Sequence, residues 1–426
     1  MTTLPTARPQ VVIVGGGFGG LAAAKALAGA SVDVTLVDRK NHHVFQPLLY
    51  QVATAALSPA EIAAPIRGIL RRQRNARVLL GEVTSVDPLA RRVRLESSEL
   101  AYDFLILAAG ATHSYFAHAG WERHAPGLKT IEDALEIRRR VLLAFEQAEC
   151  EEGAEARREL LTFAVIGGGP TGVEMAGACA EIARNTLASD FRRIDPRGSR
   201  VVLIEAGPRI LPAYPEELSQ KAERQLEALG VEVRTRSPVT GVEAAAVQIG
   251  ADQLAARTIV WAAGVQGSPL ARSLRADLDR AGRVRVQPDL TLPGHPSLFV
   301  IGDLAALEQD GQPLPGVAPA AMQMGQHAAA NVARAVRGEP LAAFRYRDKG
   351  SLATIGRRRA VAIVGAVRLS GLVAWLAWLG IHIYFLIGFR NRLVVLLTWA
   401  WAYVTYDRSA RLILGHGRDA PLTQGD

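Results

Sequence analysis

Cysteine is almost missing from this chain. Only Cys150 and Cys179 occur in 426 residues, far apart and in alanine- and glutamate-rich surroundings. No CxxC or zinc-ligand spacing exists, which excludes a disulfide-dense scaffold and a structural zinc site. The two cysteines read as ordinary helix positions in a reducing compartment, and no metal is expected. Aromatic residues are scarce at 6%, and no nucleic-acid module or stacking platform is visible, so the net charge of +8 does not mark a nucleic-acid binder. Arginine supplies most of that excess, spread over 67–78, 347–360, Arg390 and Arg392. Such a pattern suits an anionic membrane surface. A signal peptide is also lacking: "MTTLPTARPQ" is short and polar, and the apolar run behind it opens a motif. The chain is therefore expected on the cytoplasmic side.

What is present in quantity is core. A 49% hydrophobic share over this length predicts two or three folded domains. The stretch "VVIVGGGFGGL" at 11–21 starts with four β-branched residues that read as a buried parallel strand. Gly15, Gly17 and Gly20 follow in G-x-G-x-x-G spacing, then the helix "LAAAKALAGA" and a second strand "VDVTLVD" ending in Asp38. Gly15 permits the tight turn, Gly17 lets a pyrophosphate approach the backbone, and Gly20 lets helix and strand pack closely. The helix N-terminus offers unpaired N–H groups to the phosphates, and the acid accepts from a ribose hydroxyl.

The pattern returns as "FAVIGGGPTGVE" at 163–174, with Gly167, Gly169 and Gly172, a helix, and the strand "RVVLIEA" carrying Glu205. The acid comes late because residues 184–199 lengthen the connection. A carboxylate at this place repels the 2′-phosphate of NADP and accepts the free hydroxyl of NAD, and no arginine follows before Arg209. NAD is the expected ligand here. Two such folds in tandem imply two dinucleotides, and the usual partner of a nicotinamide is a flavin. Asp303, after the strand in "HPSLFVIGDLAAL", suits the ribityl or pyrophosphate part of FAD.

These motifs, with "LILAAGA" at 105–111 and "IVWAAGV" at 259–265, resemble the two-dinucleotide flavoprotein reductases. Four further stretches resemble type II NADH:quinone oxidoreductase in particular. They are 41–67, "APAAMQMGQHAAAN" at 318–331, "YRDKGSLATIGRRRAVA" at 346–362, and the apolar tail. The resemblance runs to about residue 412. It implies that Gly15, Gly17, Gly20, Asp38, Gly110, Gly302 and Asp303 serve FAD, and that Gln46, in "FQPLLYQVA", lies beside the flavin. Gly167, Gly169, Gly172, Glu205 and Gly264 serve NADH, and Glu174 sits beside the two rings. Ala318, Pro319 and Gln323 fall on a family motif lining the quinone pocket, with Pro319 replacing a glutamine. Glu174 and Gln323 are the candidate catalytic residues. Met322 and Met324 read as helix packing.

The segment 369–389 is long and apolar, and a second apolar run reaches Tyr406. At helical spacing, Gly371, Trp375, Trp378, His382, Phe385 and Phe389 share one face; Arg392, Trp399, Tyr403 and Tyr406 do so in the second run. This predicts helices lying in the headgroup plane, aliphatic side down, which agrees with the monotopic attachment that the resemblance implies. The expected architecture is α/β with two Rossmann-like domains. FAD takes 8–120 and 281–345; NAD, with a helical connector, takes 121–280. A membrane-binding region occupies 346–412 and a loose tail 413–426. The expected activity is hydride transfer from NADH to FAD, then electron transfer to a membrane quinone without proton pumping. The setting is the cytoplasmic face of the inner membrane, the enzyme a homodimer. A flavin reductase with a soluble acceptor or oxygen, or a non-enzymatic NADH-binding membrane flavoprotein, are the alternatives.

Overall fold

The computed structural model describes residues 8–387, 389–405 and 410–413, and within the last helix the side chains of 391–401. Two compact units emerge, each assembled from separated stretches of chain.

The first unit comprises 8–44, 63–114 and 264–349. Its six-stranded sheet runs in the order Thr291–Leu292, His295–Val300, Phe104–Leu107, Gln10–Val14, Asp33–Asp38, Ala76–Leu80. All neighbours are parallel except the first pair. The strand Gln10–Val14 is central, with Val11, Val12, Ile13 and Val14 all buried, as a strand covered on both faces requires. The helix Phe18–Ala26 crosses the long helix Ala318–Val336 at two glycines. A Cβ on Gly325 would lie 2.1 Å from the Gly19 carbonyl oxygen, so only glycine permits this approach.

The second unit comprises 45–62, 115–263 and the described residues from 350 on. Its four parallel strands are Val231–Arg234, Arg200–Ile204, Thr162–Ile166 and Thr258–Trp261, in that order. The charged connector forms the helices Ile131–Cys150 and Ala154–Leu160, the first opened by a Thr130/Asp133 capping box. The lengthened connection before Glu205 contains a π-helical turn, Ile182–Thr186.

These borders differ from the expected ones. Residues 264–280 join the first unit because the strand Val265–Gly267 pairs with Ala111–His113. Segment 45–62 joins the second, and so does the hairpin from 350: a Cβ on Gly177 would stand 1.8 Å from the Ile355 carbonyl oxygen, so helix and hairpin touch backbone to backbone.

The apolar tail folds as Gly371–Phe385 and Phe389–Thr405. No helix among the described residues is long and apolar enough to cross a membrane. The aromatic stripe, expected at the headgroups, points into the protein. Trp378 is 2% exposed, stacks on His382 at 4.4 Å and meets Trp399 at 5.4 Å. Flat rings bury more area against each other than they would lying in a wet interface. Leu372, Val373, Leu376, Leu393, Leu396 and Leu397 are left on the exposed side. The side chains of Phe389 and Tyr403, together with Tyr406 and residues 414–426 of the tail, lie outside the described residues.

Candidate active site: two dinucleotide cradles and a cavity

The repeated motif folds into two copies of one geometry. Gly15 N–H donates to Val37 O at 2.8 Å, and Gly167 N–H to Ile204 O at 2.7 Å. Gly15 and Gly167 both take the left-handed backbone, with φ of 101° and 111°. A Cβ on Gly20 would fall 1.8 Å from Gly15 O, and on Gly172 equally 1.8 Å from Gly167 O. Around Gly17 and Gly169, where the ligand backbone should approach, a Cβ would meet nothing within 4 Å. Each precedes a helix, Phe18–Ala26 or Pro170–Glu181. Two glycines per copy thus close the turn and a third leaves it open, which is the fit a pyrophosphate needs.

The acids are built into the turns, a detail the spacing alone did not reveal. Asp38 Oδ2 accepts from Gly16 N–H at 2.5 Å and Oδ1 from Lys40 N–H at 2.7 Å. Glu205 Oε2 accepts from Gly168 N–H at 2.6 Å and Oε1 from Gly207 N–H at 2.6 Å. Gly16 and Gly168, between the first two glycines of each motif, therefore fix the carboxylate at the turn. Arg209, the nearest cation beyond Glu205, donates to the carbonyls of Leu211, Pro212 and Tyr214 and to Ser219 Oγ. Its guanidinium is committed to the loop.

The remaining predicted residues fall as follows. Gly110 and Gly302, each with φ of 67°, follow two adjacent strands of the first unit, Phe104–Leu107 and His295–Val300. The Gly302 N–H donates to Met324 Sδ at 3.2 Å, so that methionine does more than pack. Asp303 follows in a short turn, Gly302–Leu304. Gly264, with φ of 118°, begins the return to the first unit, and its carbonyl accepts from Ser114 N–H at 3.2 Å. Pro319 occupies the first turn of Ala318–Val336, where a missing N–H costs nothing. Gln323 is tied to one neighbour: Nε2 donates to Arg347 O and Oε1 accepts from Arg347 N–H, both at 3.0 Å. Gln46 lies in the second unit, its amide 3.5 Å from Lys129 O. Ser58-Pro59-Ala60-Glu61, a capping-box pattern with proline at the first helical position, opens the helix Pro59–Ile62, with Ser58 N–H donating to Glu61 Oε2 at 2.5 Å.

Sequence reasoning missed a cavity of about 130 Å³ in the second unit. Its walls include Glu174, Gln51, Thr354, Arg357, Trp378 and Trp399, from five separate elements. Gln51 is a hub: Nε2 donates to the Tyr50 hydroxyl and Oε1 accepts from Trp399 Nε1–H, both at 2.8 Å. Burial of Glu174 pushes its carboxyl up to about 8, opposed only in part by a hydrogen bond from the Thr354 backbone. That shift favours the protonated carboxyl, the form able to give a proton. His382, behind Trp378, bonds Trp378 O through Nδ1 at 2.7 Å, and burial lowers its pKa to about 4. It is therefore neutral. A histidine whose folded pKa is depressed takes its proton more readily when unfolded. Its stabilisation is complete above 6.5 and fades as pH falls toward 4, by up to about 3 kcal/mol. Melting curves at pH 7 and pH 4.5 should show a smaller acid loss in His382→Leu than in the unaltered chain.

The family model for pyridine nucleotide-disulphide oxidoreductases matches residues 9–325. Among curated proteins the chain is 47% identical to the type II NADH:quinone oxidoreductase Ndh of Mycobacterium tuberculosis, with 96% of this chain and 90% of that protein covered. The chain belongs to the type II NADH:quinone oxidoreductases. Its likeness to NdhA of the same organism is 46% over 95% of this chain and 89% of that one. The fold of this oxidoreductase also matches the structure of NDH2 from Plasmodium falciparum in complex with NADH. The TM-score is 0.86 at 21% identity, covering 96% of this chain and all of the other. Among the described residues no group of three or more His, Cys, Asp or Glu side chains gathers as a metal site.

Proposed function

We propose that the chain accepts a hydride from NADH on FAD and delivers two electrons to a quinone. The observation that carries this reading is the duplicated cradle, each copy with its own acid. Bound FAD supplies a ring that takes a hydride and releases electrons to an acceptor. Gly15, Gly17, Gly20 and Asp38 hold its nucleotide half, with Gly110, Gly302 and Asp303 completing that cradle, and the family resemblance assigns Gln46 to the flavin as well. Gly167, Gly169, Gly172, Glu205 and Gly264 hold NADH. Positioning is the protein's main contribution, since hydride transfer needs approach and alignment rather than a nucleophile. Ala318, Pro319 and Gln323 face the quinone; with its amide bonded to Arg347, Gln323 acts chiefly by holding segment 345–349. Glu174 gives a proton to the quinone oxygen. Anaerobic NADH should bleach the yellow protein, and a quinone should restore the colour. Bleaching without recovery would refute the acceptor, and a chain that takes up no flavin would refute the whole reading.

Glu205→Arg should raise the KM for NADH about 10–100-fold, the size expected for losing charged hydrogen bonds to a ribose, and move preference toward NADPH. Steady-state kinetics with both nucleotides checks this. Glu205→Gln separates the charge from the loop anchoring.

The enzyme is further proposed to lie on the cytoplasmic face of the membrane as a homodimer, through its C-terminal helices. Support comes from the exposed aliphatic rows of both helices, flanked by Tyr384 at 69% and Trp401 at 65% exposure, and from the exposed Arg392. Leu372→Glu with Leu376→Glu should weaken binding to anionic liposomes at least tenfold in a flotation assay.

A further inference from the structure

Glu174 is not alone on its helix face. In Pro170–Glu181 the positions 174, 178 and 181 share one side, and Glu174, Ala178 and Glu181 all line the same cavity. A regular helix would bring Asn185 round next. The π-helical turn Ile182–Thr186 inserts one extra residue, and Thr186 becomes the next lining residue instead. Polar groups therefore recur along one wall, separated by a single alanine methyl.

We propose that Glu181, with Thr186 beyond it, returns a proton to Glu174 after each quinone reduction. This rests on the reading above, in which Glu174 protonates the quinone. The balance is NADH + H⁺ + quinone → NAD⁺ + quinol. Two electrons reach the quinone, one of its two protons comes with the hydride equivalent and the other from water. When the O–H bond of Glu174 breaks and that of the quinol forms, a carboxylate is left in the cavity wall and must be reprotonated before the next cycle. Seven residues of helix separate the two acids by about 10 Å, too far for direct exchange. The cavity of about 130 Å³ has room for a chain of several waters, each needing about 10–15 Å³. Ala178 sits between the acids, and a larger side chain there would block that chain. Glu181 also accepts from Arg357 N–H at 2.5 Å, which keeps its carboxylate at the cavity edge and gives it a bracing role besides. The other titratable groups around the acids are Tyr214, whose own pKa burial raises, then Tyr50 and Arg357; His382 lies behind Trp378.

The test uses the flavin-loaded full chain in quinone liposomes. Quinone turnover is divided by the rate of NADH bleaching in the same preparation and followed from pH 5.5 to 9. In the unaltered chain this ratio should hold level and fall above about pH 8. In Glu181→Gln it should stay within twofold at pH 5.5, where hydronium substitutes, and be at least tenfold lower at pH 8. Ala178→Val should give the same profile with both acids intact, and Glu181→Asp should recover most of the loss. In the flavin-free chain, the infrared band of the Glu174 acid, assigned by its absence in Glu174→Gln, should exchange with D2O at least tenfold more slowly in Glu181→Gln. A turnover ratio lowered by one constant factor at every pH, or unaltered deuterium exchange, would reduce Glu181 to a brace of the 356–359 turn. Failure of the unaltered chain to bleach or to recover with quinone would instead strike the functional reading itself.

Discussion

Gly172→Ala should yield a yellow protein that NADH no longer bleaches, whereas Gly20→Ala should yield a colourless one. In both, the added methyl lies 1.8 Å from a carbonyl oxygen, that of Gly167 or Gly15. A Cβ does not approach a carbonyl oxygen below about 3 Å, and neither oxygen is the end of a flexible side chain. The helix must move off its strand by more than an ångström, which takes the N–H groups at its start out of phosphate reach. The loss should be about 10²-fold or more in affinity at the altered cradle, the penalty typical of ångström-scale misplacement. Flavin absorbance after purification and NADH titration of bleaching read the two sites separately. Alanine at Gly17 or Gly169 meets no protein atom and should preserve folding while obstructing only the ligand. If Gly172→Ala bleaches as readily as the unaltered chain, the second cradle is not the NADH site.

The second large effect belongs to Glu174. Glu174→Gln keeps the shape and removes the transferable proton. Quinone turnover should fall about 10²–10⁴-fold, the range of a single general acid, while NADH bleaching is retained within a few-fold. Stability carries an independent signature of opposite sign to that of His382. The folded state holds the Glu174 proton up to about 8, the unfolded state only to about 4.5. Folded stability therefore declines as pH rises through that window, by at most about 5 kcal/mol, since water in the cavity softens the burial. Glutamine has no proton to lose. Melting temperatures of the two proteins should agree near pH 5 and diverge by pH 9 in favour of the variant. Parallel curves would mean that Glu174 is already ionised at neutral pH.

Much of this was legible before any coordinates. Glycine positions, strand composition and the terminal acids are local matters, and local sterics gave the same turn wherever the same spacing occurred. The duplicate cradles and the capping box at 58–61 follow from that, whereas the box at 130–133 emerged only with the fold. The aromatic stripe at 371–385 was visible as a periodicity, yet its direction was not. A period tells which residues share a face, and only packing tells what the face meets. The same limit hid Gln51, which touches Trp399 across 348 residues of sequence.

By itself, then, the sequence determined that there are two dinucleotide folds, where each turns, and which acid ends each ribose strand, because these depend on residues within one turn of each other. The tertiary structure alone decided that burial raises the proton affinity of Glu174, that Arg209 is committed to its loop, and that the tail closes a cavity with its tryptophans. Those properties arise from burial and from partners brought together by folding, and a carboxyl's proton affinity is set by what surrounds it rather than by its neighbours in the chain.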